Sequence, residues 1–130
     1  MKHWLAGLAL LAATLGLAQA AQQPFTQEAF ERLQQEGAII LVDVYAEWCP
    51  TCRKQHEVLQ SYREQNPDKA FHTLVVDFDD DKKWVRHFRA PHQSTLILFA
   101  GDKQVWFSVA ETRYDEIATQ IDKAIALGKR

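Results

Sequence analysis

The run Ala38 to Tyr45 (AIILVDVY) is apolar or β-branched at both odd and even positions, apart from one aspartate. A strand with one face in water alternates apolar and polar residues, whereas one covered on both faces does not. The run therefore predicts a central strand with helices on each side, an α/β arrangement. The flanking segments agree. Phe25 to Gln35 places Phe25, Ala29, Phe30 and Leu33 at helical spacing, with Thr26 as N-cap and Gly37 as the stop. Cys49 to Gln65 reads as a helix with Val58, Leu59 and Tyr62 on one face, broken by Asn66-Pro67-Asp68. Phe71 to Phe78 is a second strand, and Asp80 to Arg89 a short helix carrying Trp84, Val85 and Phe88. Thr95 to Phe99 and Gln104 to Val109 are two strands joined by a tight turn at Gly101. A last helix starts at Thr112 or Asp115 and carries Ile117, Ile121, Ala124 and Ile125. Ala21 to Pro24 reads as a linker. The order is helix, then β-α-β-α-β-β-α: a four-stranded mixed sheet flanked by helices.

The N-terminus reads as a targeting segment. Lys2 and His3 precede an apolar stretch, Trp4 to Leu17, and Ala18-Gln19-Ala20 supplies small residues for cleavage after Ala20. The alternative is a membrane anchor, but the stretch is shorter than the roughly 20 residues that span a bilayer. No cysteine follows the signal, which excludes a lipid-modified N-terminal cysteine. Residues 1–20 are thus expected to be a signal peptide and residues 21–130 one domain, exported to the periplasm or secreted. The net charge of −2 and the lack of a basic block exclude nucleic acid as a partner.

The two cysteines, the only ones in the chain, stand in Trp48-Cys49-Pro50-Thr51-Cys52, between the apolar strand and the helix. Thiols two residues apart close and reopen a small disulfide, so thiol–disulfide exchange is the leading expectation. A structural staple would gain little from so short a loop. Cys49 falls at the first turn of the helix, where free N–H groups and the helix dipole favour the thiolate. It is expected to be the exposed nucleophile, with Cys52 more buried and resolving the mixed disulfide. Pro50 suits the first helical position. Asp43, in the middle of the apolar strand, is costly to bury alone. Cys49, Cys52, His56 and His92 together offer zinc-type ligands, a rival reading. Asp77, Asp79, Asp80 and Asp81 lack the glycine and glutamate of a calcium loop and read as a solvated turn in which Asp79 or Asp80 caps a helix.

The segment Val42 to Arg53 (VDVYAEWCPTCR) resembles the active-site segment of thioredoxins, above all the thioredoxin-like periplasmic domains that handle disulfides. The element order agrees over almost all of residues 21–130. The resemblance implies a thioredoxin fold and a protein-disulfide oxidoreductase that needs no cofactor or metal. Asp43 would accept a proton from Cys52. Trp48, Pro50, Thr51 and Ser94 would contact substrate. Partners would be protein thiols and disulfides, with a membrane thiol relay supplying electrons, and the chain would be a monomer. A disulfide oxidase and a metal- or cluster-binding protein of the same fold are the alternatives. Two departures stand out. The lysine that thioredoxins set beside the aspartate is replaced, its counterpart being Val75. The family's cis-proline before the third strand aligns with Ser94, so either the loop is reshaped or Pro91, three residues earlier, takes the place through a local insertion. Because a non-proline cis bond costs about 2.5–4 kcal/mol, the Gln93–Ser94 bond is expected to be trans in a reshaped loop. There the serine hydroxyl would be free to bond a thiolate.

Overall fold

The computed structural model describes residues 22–128. Its elements are β1 (Gln22–Pro24), α1 (Gln27–Gln35), β2 (Ile39–Tyr45), α2 (Pro50–Gln65), β3 (His72–Asp77), α3 (Lys82–His87), β4 (Thr95–Ala100), β5 (Lys103–Val109) and α4 (Tyr114–Gly128). The proposed signal segment lies outside the described residues. Among the described residues no helix is long and apolar enough to cross a membrane.

The sheet has five strands in the order β1-β3-β2-β4-β5, not the expected four. The addition is Gln22–Pro24, read from sequence as a linker, which pairs parallel with β3 from Gln22 opposite Thr73 to Pro24 opposite Val75. Gln-Gln-Pro has no β-branched or apolar signal, and Pro24 is tolerated because this strand is an edge. The other pairings follow the sequence reading. β2 runs parallel to β3 and antiparallel to β4, and β4 is antiparallel to β5. The hairpin turns at Gly101, whose φ of +60° favours glycine.

β2 is buried on both faces, and alternation divides its side chains between two cores. Ile40, Val42 and Val44 join Phe30 and Leu33 of α1, Val85 of α3, and Phe88, Leu74, Val76, Ile97 and Phe99. Ile39 and Leu41 join Val58, Leu59 and Tyr62 of α2 and Ile117, Ile121 and Ala124 of α4. Asp43 shares the parity of Leu41, which places it on the face that α2 covers. Thr26 caps α1 by accepting the Ala29 N–H, as its position predicts. Tyr62 donates to Asp122 at 2.6 Å and so ties α2 to α4.

Phe30 is the hinge of the first core. Its ring lies 5.4 Å from that of Phe25, 5.5 Å from Phe88 and 5.1 Å from Phe99. Phe30→Ala is expected to lower the unfolding free energy by about 3–5 kcal/mol, measured by urea denaturation.

Candidate active site

α2 begins at Pro50, and Cys49 is its N-cap residue. The Cys49 sulfur accepts the Cys52 N–H at 3.1 Å. That bond satisfies a free donor at the helix end and directs the dipole at the sulfur, so negative charge on Cys49 is stabilised. Pro50 at N1 forfeits no bond there. The side chain of Cys49 is turned back onto the helix end, and the residue is 2% exposed. This corrects the expectation of an exposed nucleophile: Cys49 clusters with Ala46 and Cys52 against Tyr45 and Phe78. Cys52 is fully buried. Burial, reinforced by its hydrogen bond with Cys49, pushes its thiol up to about 12.

Trp48 projects outward and is 56% exposed. Its indole N–H donates to Asp79 at 2.7 Å. Pro50 is exposed and Thr51 half-buried beside it. The acidic turn is organised by Asp77, which accepts from the N–H groups of Asp79 and Asp80 at 2.9 Å. Neither of those residues caps α3. Asp81 holds the N-cap position, without a side-chain bond, and Asp79 is engaged by Trp48 instead.

Asp43 is fully buried, and its neighbours across the sheet are apolar: Val75 on β3 and Leu96 on β4. The register confirms that no lysine stands where the family carries one. A different residue reaches the carboxylate. His56 of α2 brings Nε2 to 2.7 Å from Asp43 Oδ2, while Asp43 Oδ1 is buried with no hydrogen-bond partner among the described residues. Tyr45 stacks on the imidazole at 4.3 Å between ring centres, 12° from parallel. Sequence reasoning weighed His56 only as a zinc ligand. The signal was available: His56 follows Cys52 by four residues, so both lie on the helix face that covers Asp43. Among the described residues no cluster of three or more His, Cys, Asp or Glu could hold a metal ion. His92 sits apart, exposed in the loop before β4.

Every described peptide bond is trans, and Ser94, which the sequence aligns with the family's proline, has φ +60°. The loop is reshaped around it, and Pro91 lies exposed beyond. Ser94 donates its N–H to the Val44 carbonyl at 2.7 Å, and its carbonyl accepts the Ala110 N–H at 2.9 Å. The buried amide of Gln55 donates to that same carbonyl at 3.0 Å and to the Glu111 carbonyl at 3.0 Å. The serine hydroxyl bonds to the Gln93 carbonyl rather than to a thiolate. A left-handed non-glycine residue costs about 1–3 kcal/mol and persists only where its surroundings over-determine it. These bonds do so. Gln55 was not singled out from sequence, since a glutamine on a helix face ordinarily points to solvent.

The family model described as Thioredoxin matches residues 21–123. The chain belongs to the thioredoxin family. It is 31% identical to the thioredoxin of Chlamydia trachomatis over 101 residues, covering 78% of this chain and 96% of that one. It is also 31% identical to the thiol:disulfide interchange protein DsbE of Escherichia coli over 71 residues, but these span only 35% of that protein. Among solved structures, Trxlp from Edwardsiella tarda superposes with a TM-score of 0.72 at 35% identity, covering 77% of this chain and 97% of that one. The thioredoxin of Halobacterium salinarum, at 22% identity and a TM-score of 0.67, supports the fold. The chain is a thioredoxin-like thiol–disulfide oxidoreductase with a CxxC pair.

Restoring the family's proline at Ser94 is expected to damage this protein. Proline cannot adopt φ +60° and has no N–H for Val44. Ser94→Pro should cost about 3 kcal/mol or more, read as a lowered midpoint in thermal unfolding.

Proposed function

We propose that this protein is an exported reductase of protein disulfides. The observation that carries the reading is Cys49 at the helix end, with the buried Cys52 one turn on and the buried carboxylate of Asp43 bearing on it. Cys49 thiolate attacks one sulfur of a substrate disulfide. A Cys49–substrate mixed disulfide forms and the other substrate sulfur leaves as thiolate. Cys52 then gives its proton to Asp43 and attacks the Cys49 sulfur. The Cys49–Cys52 disulfide closes, the second substrate thiolate departs, and the two electrons of the thiol pair have passed to the substrate. Asp43 is needed because a thiol raised to about 12 holds its proton at neutral pH.

The exposed Trp48 supplies a flat apolar surface for an unfolded or loop segment bearing the disulfide. Pro50 and Thr51 line the same approach, with Ser94 in the loop before β4. The signal-like segment of residues 1–20 supports export, to the periplasm or outside the cell, and the similarity to the thiol:disulfide interchange protein DsbE supports disulfide interchange. In an oxidising compartment a reductase draws electrons from elsewhere, and a membrane thiol relay fits. The same cycle run backwards makes an oxidase. The reduction potential of the Cys49–Cys52 pair decides the direction: a strongly reducing value sustains the reductase reading and an oxidising one reverses it.

Cys49→Ala should abolish insulin-type disulfide reduction, and Cys52→Ala should trap a mixed disulfide visible by mass spectrometry. Full activity in Cys49→Ala refutes the reading. Asp43→Asn should slow the second step by about 10²-fold or more at pH 7. In that variant the rate should climb as pH rises above neutrality, because the buried thiol must lose its proton unaided. An unchanged second-step rate at pH 7 in Asp43→Asn removes Asp43 from the mechanism.

A further inference from the structure

The carboxylate that serves Cys52 is cut off from water, and a proton delivered to it must leave again. Asp43 is fully buried, yet its Oδ2 lies 2.7 Å from the Nε2 of a side chain that is 25% exposed. Among the described residues, His56 is hydrogen-bonded to the carboxylate and also reaches the surface. Its ring is held flat against Tyr45, so the contact is set by stacking as well as by the hydrogen bond. Asp43 Oδ1 is the oxygen left open, and Asp43 bears electrostatically on Cys52. Oδ2 is thus engaged by His56, while Oδ1 is available to take a proton.

We propose that His56 is a positioning residue for the exchange reaction, holding Asp43 ionised as an imidazolium and passing to solvent the equivalent of the proton that Asp43 takes from Cys52. The inference rests on the reading of Cys49 and Cys52 as an exchanging pair. Before resolution, the Nε2–H of His56 donates to Asp43 Oδ2. As Cys52 attacks Cys49, its thiol proton passes to Oδ1. The carboxylate loses its charge, and His56 gives a proton to water from its exposed side. One proton equivalent has left the site, and the proton on Oδ1 stays with the neutral carboxyl until the pair is reduced again. When an external dithiol reduces the closed pair, Cys52 departs as thiolate and recovers the proton from Oδ1. His56 then takes one from water, and the dyad is reset without rotating the carboxyl group.

The surrounding charges are compatible with this arrangement. From β2, Tyr45 and Asp43 face the imidazole. From α2 and its cap come Cys52, Cys49 and, two turns on, Arg63, which feels the Asp43 charge. Arg63 also donates to Thr73 at 2.6 Å and lies over the Phe71 ring at 4.1 Å. Glu47 and Arg53, of opposite charge, act on Tyr45 from the turn and the first helical turn. From β3 and β4 the neighbours of Asp43 are the uncharged Val75 and Leu96. Histidine is the side chain suited to change charge between about pH 5 and 8.

The test isolates the second step. The reduced protein is mixed with 5,5′-dithiobis(2-nitrobenzoic acid), which places one thionitrobenzoate on Cys49. Attack by Cys52 then expels that group, and its colour gives the rate without any protein substrate or electron donor. The unsubstituted protein should show an inflection in the range where imidazoles change charge, about pH 5 to 8. His56→Gln keeps a hydrogen-bond donor but cannot titrate. It should load Cys49 normally, lose the inflection and expel the label about tenfold more slowly at pH 7, at the low end of acid–base effects. His56→Lys restores a cation and should recover part of the rate, which keeps the test decisive if His56→Gln fails to fold. If either folded variant keeps the original rate and pH profile, the proposal is overturned while the exchange reading stands. If the unsubstituted protein loads Cys49 but never expels the label, the exchange reading falls and takes the proposal with it.

Discussion

A fully buried carboxylate in the central strand governs this molecule. Asp43 is flanked along β2 and across the sheet by side chains that cannot solvate it. An isolated buried charge is too costly to keep, so something must reach it. The side that can answer is α2, because strand parity sends Asp43 to that face. The helix that presents Cys52 also presents, one turn later, the imidazole that meets Asp43. Catalytic geometry and the relief of a buried charge are thus solved by one helix face, read at positions 52 and 56.

Most of the fold was legible because it rests on pattern. The two-sided apolar run of β2, the cap at Thr26 and the glycine of the last hairpin each carry a local signal. The misses have physical reasons. β1 is Gln-Gln-Pro, and only the open edge of β3 makes it a strand. The cap of α3 moved to Asp81 because Asp77 and Trp48 engage the backbone and side-chain groups around Asp79. The burial of Cys49 came from tertiary packing against Tyr45 and Phe78, which motif spacing does not report. The Asp43–His56 contact needed two periodicities combined, one along the strand and one along the helix.

The loop before β4 shows how a departure from a family pattern is absorbed. The proline place holds a serine in a left-handed conformation, and Ala110 at φ +61° accompanies it across the sheet end. The strain is shared by a backbone bond between these two residues and by the Gln55 amide, which spans the Ser94 and Glu111 carbonyls. Gln55 lies on the same face of α2 as Cys52 and His56. The helix therefore braces the loop before β4 with Gln55 while presenting Cys52 and His56 from the same face.

The near-complete burial of Cys49 also bears on its chemical survival. Irreversible oxidation of a cysteine sulfur follows thiolate character and access to small oxidants. A sulfur that is 2% exposed and lodged against the helix end offers peroxide little approach while the protein is idle. Any disulfide that exchanges with this sulfur must first displace the packing of Ala46, Tyr45 and Phe78 around it. The closed packing thus selects what reaches the thiol by access rather than by charge.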